Sequence, residues 1–147
     1  VTFMELLSKD FTNGETIPSE FTCDGKNISP ELSWEKVPPK TKSFALISDD
    51  PDASGGWIHW LVYDIPNNVR EIEQNSLPTG SKQAENDFGK KTYGGPCPPS
   101  GTHRYFFRLY ALDVQHLEYL NKHNFVETIE KHTIEKATIM GLYKRRR

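Results

Sequence analysis

Trp57-Ile58-His59-Trp60-Leu61-Val62-Tyr63-Asp64-Ile65 is the run on which the fold turns, together with its counterpart His103-Arg104-Tyr105-Phe106-Phe107-Arg108-Leu109-Tyr110-Ala111-Leu112. Nearly every residue of the first is β-branched, aromatic or Leu, as a strand prefers. Alternation puts Trp57, His59, Leu61, Tyr63 and Ile65 on one face and Ile58, Trp60, Val62 and Asp64 on the other. Both faces are mostly apolar, so a central strand is expected. In the second run His103, Tyr105, Phe107, Leu109 and Ala111 alternate with Arg104, Phe106, Arg108, Tyr110 and Leu112, which predicts a second long strand. Ser43 to Ser48 is a short apolar run closed by Asp49, Asp50 and Pro51, and reads as a buried strand.

Outward from these, Phe3 to Leu7 and Leu32 to Trp34 are weaker strand candidates. The polar stretch from Asn67 to Tyr93, broken by Pro78, Gly80 and Gly89, is expected to cross the surface with a short strand near Ala84. Asn124 followed by Glu127, with Phe125, Val126 and Ile129 as a stripe, predicts one short helix capped by Asn124 and running to about His132. Ala137 to Tyr143 reads as extended. Many short strands with a single helix near the C-terminus indicate a mainly β sandwich.

The chain has 147 residues, the length of one ordinary domain, and is read as a single domain over 1–147. Its formal net charge is −2, from 18 basic and 20 acidic residues, so no global positive field recruits nucleic acid. The basic run Lys144 to Arg147 is taken as a solvated end. No window is long and apolar enough for a membrane span, and the first residues lack a signal-peptide core; a cytoplasmic protein is expected. Cys23 and Cys97 are expected to be free thiols in a reducing cytoplasm. Pairing would require them to be neighbours in space, which sequence separation does not decide.

The chemistry-bearing residues cluster around the two long strands. His103 follows a loop rich in Gly and Pro, from Gly94 to Gly101, that can hold backbone close to a ligand. Tyr105 shares its face. Asp50 and Asp52 stand two apart, and either can fix a histidine tautomer by accepting a ring hydrogen, though Asp beside Pro is also a common turn former. His59 can equally be an ordinary core histidine. Three readings follow: an anion or phosphate site with imidazole and Tyr donors, a metal site of two His and a carboxylate, or a hydrolase with Cys97 as nucleophile and His103 as base. The first is preferred, because no close His spacing suits a metal and Cys97 reads better as a small thiol wedged between prolines.

With these residues in place, the chain resembles the phosphatidylethanolamine-binding protein family, also called Raf kinase inhibitor-like proteins, and most closely its short prokaryotic branch. The resemblance rests on Asp50-Pro51-Asp52-Ala53 with Trp57-Ile58-His59-Trp60, and on Asn86-Asp87-Phe88-Gly89 followed by Tyr93-Gly94-Gly95-Pro96-Cys97-Pro98-Pro99 and His103-Arg104-Tyr105. Cys23 to Trp34 extends it, so that it covers most of the chain. It implies a β-sandwich of a large and a small sheet, with an anion pocket formed by Asp50, Asp52, Ala53, His59, Gly95, Cys97, His103 and Tyr105. The implied ligands are phosphate-like or phosphoethanolamine-like anions, with no cofactor and no metal. This chain departs from the family at Ser54, where many relatives place proline, and at Ile58, where the mammalian pattern has another histidine. Larger mammalian members carry a C-terminal helix beside the pocket, whereas this sequence ends soon after Gly141-Leu142-Tyr143, so lipid specificity and Raf binding are not expected to carry over.

Three charge-assisted hydrogen bonds contribute about 4 to 9 kcal/mol together. Association costs about 4 to 15 kcal/mol. Small anions alone should bind weakly, which favours a recognition module over a catalyst. The expected function is a non-enzymatic binding protein and regulator, a monomer or homodimer. The alternatives are a kinase or serine-protease inhibitor acting through surface loops and, less favoured, a thiol hydrolase.

Overall fold

The computed structural model describes residues 2–146, so Arg147 of the basic run lies outside the described residues. Among the described residues, eight strands form two sheets. β1 (Glu5–Leu7), β2 (Leu32–Glu35) and β5 (Glu71–Ile72) make a small sheet in the order β1-β2-β5. β3 (Ser43–Asp50), β4 (Trp57–Pro66), β6 (Lys82–Ala84), β7 (His103–Leu112) and β8 (Thr133–Tyr143) make a large one in the order β6-β4-β3-β7-β8. Every pairing between these strands is antiparallel. The mainly β two-sheet architecture with one short helix, expected from the sequence, is what the chain adopts.

One face of the large sheet, with Phe44, Leu46, Trp60, Val62, Phe107 and Leu109, packs on Leu6, Leu32, Trp34 and Ile72 of the small sheet. Its other face, with Ala45, Ile47, Leu61 and Tyr110, is covered by Phe125 and Ile129 of α1 (Phe125–Glu130). Both faces of β3 and β4 are thereby buried, which is why their sequences lack a polar side.

β7 keeps the predicted alternation, but β4 does not, because it carries two bulges. Ser48 pairs with Trp60 and Asp49 with Ile58, leaving His59 as an extra residue. Phe44 pairs with Ile65 and Leu46 with Val62, so Tyr63 and Asp64 together face Ala45. Each bulge switches the face of what lies beyond it. Ile65 joins Trp60 and Val62 in the core between the sheets, and Ile58 packs with Leu61 on the helix side.

Two further expectations are corrected. The helix stops at Glu130, short of His132, and the Asn124 side chain does not cap it. Asn124 instead accepts from the Asn121 amide (2.8 Å) and donates to the Tyr119 carbonyl (2.9 Å), which closes the preceding turn. The last strand begins at Thr133, four residues earlier than Ala137.

Candidate functional site

Where β3 ends, β4 and β7 begin, because they flank β3 and both run antiparallel to it. Asp50, Trp57 and His103 are brought together by that topology. The first loop, residues 51–56, is organised by Asp50. Its Oδ1 accepts from the amides of Asp52 (2.8 Å) and Ala53 (3.2 Å), and its Oδ2 accepts from His103 Nδ1 (2.6 Å). An ionised carboxylate only accepts, so Nδ1 of His103 carries the hydrogen. Asp50 is thus a turn former and a histidine orienter at once.

The second loop is built on Asn86, which is 1% exposed. Its Nδ2 donates to the carbonyls of His59 (2.9 Å) and Thr92 (2.8 Å), and its Oδ1 accepts from the amides of Phe88 (2.9 Å) and Lys90 (3.1 Å). Asp87 adds an acceptor for the Ile58 amide (2.7 Å). The Gly94 amide donates to the His59 carbonyl, and Gly94 in turn accepts from His59 Nδ1 (2.7 Å). A carbonyl oxygen cannot donate, so the hydrogen of neutral His59 sits on Nδ1 and Nε2 presents a lone pair. Among the described residues Nε2 makes no hydrogen bond.

These loops enclose a hollow of about 330 Å³ bordered by Asp50, Ala53, Ser54, Trp57, His59, Phe88, Cys97, Pro98, Pro99 and Tyr105. The His59 ring meets Phe88 and Tyr105 edge to face, at 5.2 and 5.3 Å. Trp57 and Phe88, both partly exposed, touch at its mouth. Tyr105 Oη is buried and forms no hydrogen bond. Burial first, and then the charge of nearby Asp50, raises the Tyr105 pKa far above its ordinary value; Asp50 acts here without a bond of normal geometry.

Of the eight residues singled out from sequence, Asp50, Ala53, His59, Cys97 and Tyr105 border the hollow and the other three do not. His103 lies alongside Tyr105, with ring centres 6.4 Å apart and planes at 23°, and is held by Asp50. Asp52 is engaged by Arg104, whose Nε (3.0 Å) and Nη2 (2.8 Å) grip its two oxygens. Those bonds hold the Asp52 pKa down at about 2. Gly95 donates its amide to Asn27 Oδ1 (2.8 Å), and a Cβ at this position would collide with the Phe21 carbonyl and the Asn27 side chain. Glycine is required there by close approach of two loops. The aromatic and proline walls, Trp57, Phe88, Pro98 and Pro99, were absent from the sequence-derived set. The signal for Phe88 was an aromatic residue in a loop with no strand to bury it.

The free-thiol expectation is overturned: Cys23 and Cys97 are joined in a disulfide, with Cα atoms 5.4 Å apart. Cys97 therefore has no thiolate with which to attack, and the thiol-hydrolase reading falls with it. Among the described residues, no three His, Cys, Asp or Glu side chains are grouped as metal ligands.

Burial lowers the His59 pKa below its ordinary 6.5, an effect only partly offset by the Gly94 carbonyl and by Asp50 and Asp49. As pH falls, the unfolded chain takes up this proton before the folded one. The stability contributed by neutral His59 is therefore complete above 6.5 and is lost as pH falls from there through the ring's lower folded value. Unfolding free energy measured from about pH 7 to about pH 5 should decline more steeply for the natural chain than for His59→Gln. Parallel profiles would contradict the assignment.

Two packed antiparallel sheets, with polar side chains gathered under loops at the ends of three strands, define a class of β proteins with a small loop-built pocket. Residues 7–144 match the description Phosphatidylethanolamine-binding protein, and the chain belongs to that family. A UPF0098 protein of Methanothermobacter thermautotrophicus is 51% identical over 150 residues, covering 97% of this chain and 99% of the relative. The UPF0098 protein YbhB of Escherichia coli is 40% identical, covering 78% and 82%. Among solved structures, E. coli YbcL, described as a new member of the mammalian PEBP family, superposes with a TM-score of 0.94 at 32% identity, covering 99% of this chain and all of that one. The Chlamydia trachomatis PEBP homologue CT736 gives 0.92 at 36% identity, with 99% of this chain and 100% of that chain covered. Among the described residues no helix is long and apolar enough to cross a membrane.

Proposed function

We propose that the hollow binds a small phosphate-like group, such as inorganic phosphate or phosphoethanolamine, and that the protein is a non-enzymatic regulator recognising phosphorylated or anionic ligands. In this reading His59 and Tyr105 meet the ligand, Asp50 and His103 set their positions, Ala53 and Cys97 form part of the wall, and Asp52 and Gly95 brace the loops behind it. The carrying observation is the buried Tyr105 hydroxyl without a partner, in a side chain that borders the same hollow as the uncommitted Nε2 of His59. An unpaired buried donor costs stability that a bound acceptor recovers. The names of similar proteins point the same way.

The complex holds one proton more than the dianionic ligand and neutral His59 carry between them. Neutral His59 offers an acceptor, so it pairs with a ligand P–OH, and a charged His59 pairs with a ligand oxyanion; the count of protons is the same. Asp50 at the wall disfavours a dianion. Residence in the cytoplasm requires that the half-buried Cys23–Cys97 bridge resist reduction there.

Tyr105→Phe tests this reading. Removing an unpartnered hydroxyl should leave stability unchanged or raise it by up to about 1 kcal/mol. The same change should weaken phosphate or phosphoethanolamine binding by about tenfold, followed through the His59 ring resonances. Binding should also weaken as pH rises through the neutral range. Tighter or equal binding by Tyr105→Phe, or no His59 response at millimolar phosphate, would sink it.

A further inference from the structure

At one end of the small sheet three segments meet: residues 8–10 after β1, Glu31 just before β2, and Glu71 of β5. Alternation with Leu32 and Trp34, which face the core, puts Glu31 and Ser33 on the outer side, and Ser33 is the register partner of Glu71. Glu31 and Glu71 are thus diagonal neighbours on one face. Residues 8–10 lie across Glu31 as a strap. The Ser8 hydroxyl donates to the Glu31 carbonyl (2.5 Å), the Lys9 amide to Glu31 Oε1 (2.8 Å), and the Glu31 amide to Asp10 Oδ2 (2.7 Å).

Under this strap Glu31 is 5% exposed, and its Oε2 is buried with no hydrogen bond. The charged groups around it are Lys9, Asp10 and Glu71. The Lys9 ammonium is committed to Glu71 Oε2 at 3.3 Å, on a side chain 75% exposed. Asp10 is occupied by the Glu31 amide and by Gln74 Nε2, at 3.2 and 3.3 Å from its two oxygens. That leaves Glu71, whose carboxyl group stands within hydrogen-bonding reach of Glu31. Two ionised carboxylates bring only acceptors, and neither can satisfy the other. A proton between them removes the mismatch and needs no cavity.

We propose that Glu31 and Glu71 share one proton, held on Glu31 Oε2 and donated to a Glu71 oxygen, and that the pair is a pH-sensitive clasp for the 8–10 strap. With the proton in place Glu31 is neutral, and both of its oxygens are bonded. When the proton leaves, two like charges face each other beside one solvated ammonium, and Glu31 gains by turning out to water. The Lys9 amide is then released, and the strap with it. Burial first, and then the Glu71 side chain, raises the Glu31 pKa above its ordinary 4.5, while the bond from Glu31 and the Lys9 ammonium lower that of Glu71. The two titrate as a unit. From 4.5 up to the raised value the folded chain keeps a proton here that the unfolded chain has lost, so the stability contributed by the clasp falls as pH rises. Nothing in it depends on phosphate binding at the hollow.

The test is a carbon-13 NMR titration of the side-chain carboxyls in the full chain. Glu31 should titrate above the ordinary glutamate range and Glu71 below it. Glu71→Gln offers an NH₂ group to an ionised Glu31 and should bring the Glu31 titration down. Glu31→Gln keeps an acceptor for the Lys9 amide and a donor for Glu71 at every pH, so the clasp stays shut. Hydrogen-exchange protection of the Lys9 amide should therefore fall from about pH 5 to about pH 8 in the natural chain and stay level in Glu31→Gln. The His59 contribution is common to both chains and cancels in that comparison. An ordinary titration of Glu31, a raised one that Glu71→Gln leaves in place, or a Lys9 profile equal in the two chains would overturn the proposal.

Discussion

Replacing Cys23 and Cys97 together by alanine should lower the unfolding free energy by about 4 kcal/mol. The bridge closes a loop with a sequence separation of 74, and the stabilisation comes mainly from the conformations it denies the unfolded chain. The folded state should change little, because the two segments remain tied by other bonds. The Cys23 amide donates to the Pro96 carbonyl (3.1 Å), the Tyr93 hydroxyl to the Phe21 carbonyl (2.8 Å), and the Gly95 amide to Asn27 (2.8 Å). A melting temperature lower by roughly 8 to 16 °C is expected for a chain of this size, with the His59 response to phosphate retained. Denaturant unfolding with and without reductant measures the same quantity on the natural chain. A loss below about 1 kcal/mol would mean that the unfolded chain already keeps these loops together. Loss of the phosphate response in a folded variant would mean that the bridge is needed for binding and does more than brace the loops.

Legibility in the sequence followed bulges and long-range pairing. β7 was read correctly from His103 to Leu112, because its register with β3 runs without interruption from Ser43 to Asp49. β4 was recognised as a strand, yet Ile58 and Ile65 were put on the wrong faces. A bulge adds one residue without leaving a compositional mark, unless glycine fills it, and here His59 and Asp64 stand there instead. β5, only Glu71–Ile72, is too short to show any period and escaped notice. The Asn124 cap was misread for a physical reason: asparagine bonds equally well to a preceding turn, and Asn121 offered one. Around the hollow, His59, Asp50 and Tyr105 were legible as polar side chains next to rigid loops. The Arg104 grip on Asp52, the Gly95 packing role and the Cys23–Cys97 bridge depend on segments far apart in the chain, and no local pattern announces them.

Asp50→Ala should cost about 3 to 5 kcal/mol, as expected when one member of a buried charged hydrogen-bonded pair is removed. The carboxylate is 3% exposed and serves three donors, the amides of Asp52 and Ala53 and the Nδ1 hydrogen of His103. Alanine leaves all three without an acceptor and frees the 51–56 loop that forms one wall of the hollow. Asp50→Asn separates the two roles of the carboxylate. Its amide oxygen can still hold the Asp52 and Ala53 amides, so the loop should persist and the loss should shrink to about 1 to 2 kcal/mol. Its NH₂ group, however, now faces His103 as a donor. The ring can meet it only by moving its hydrogen from Nδ1 to Nε2, a tautomer change that ring nitrogen chemical shifts report directly. If the His103 ring, oriented by Asp50, holds Tyr105 in place for the ligand, Asp50→Asn should weaken phosphate binding while keeping most of the stability. If both substitutions leave binding intact in a folded chain, Asp50 is a turn former alone, and the hollow owes its chemistry to His59 and Tyr105.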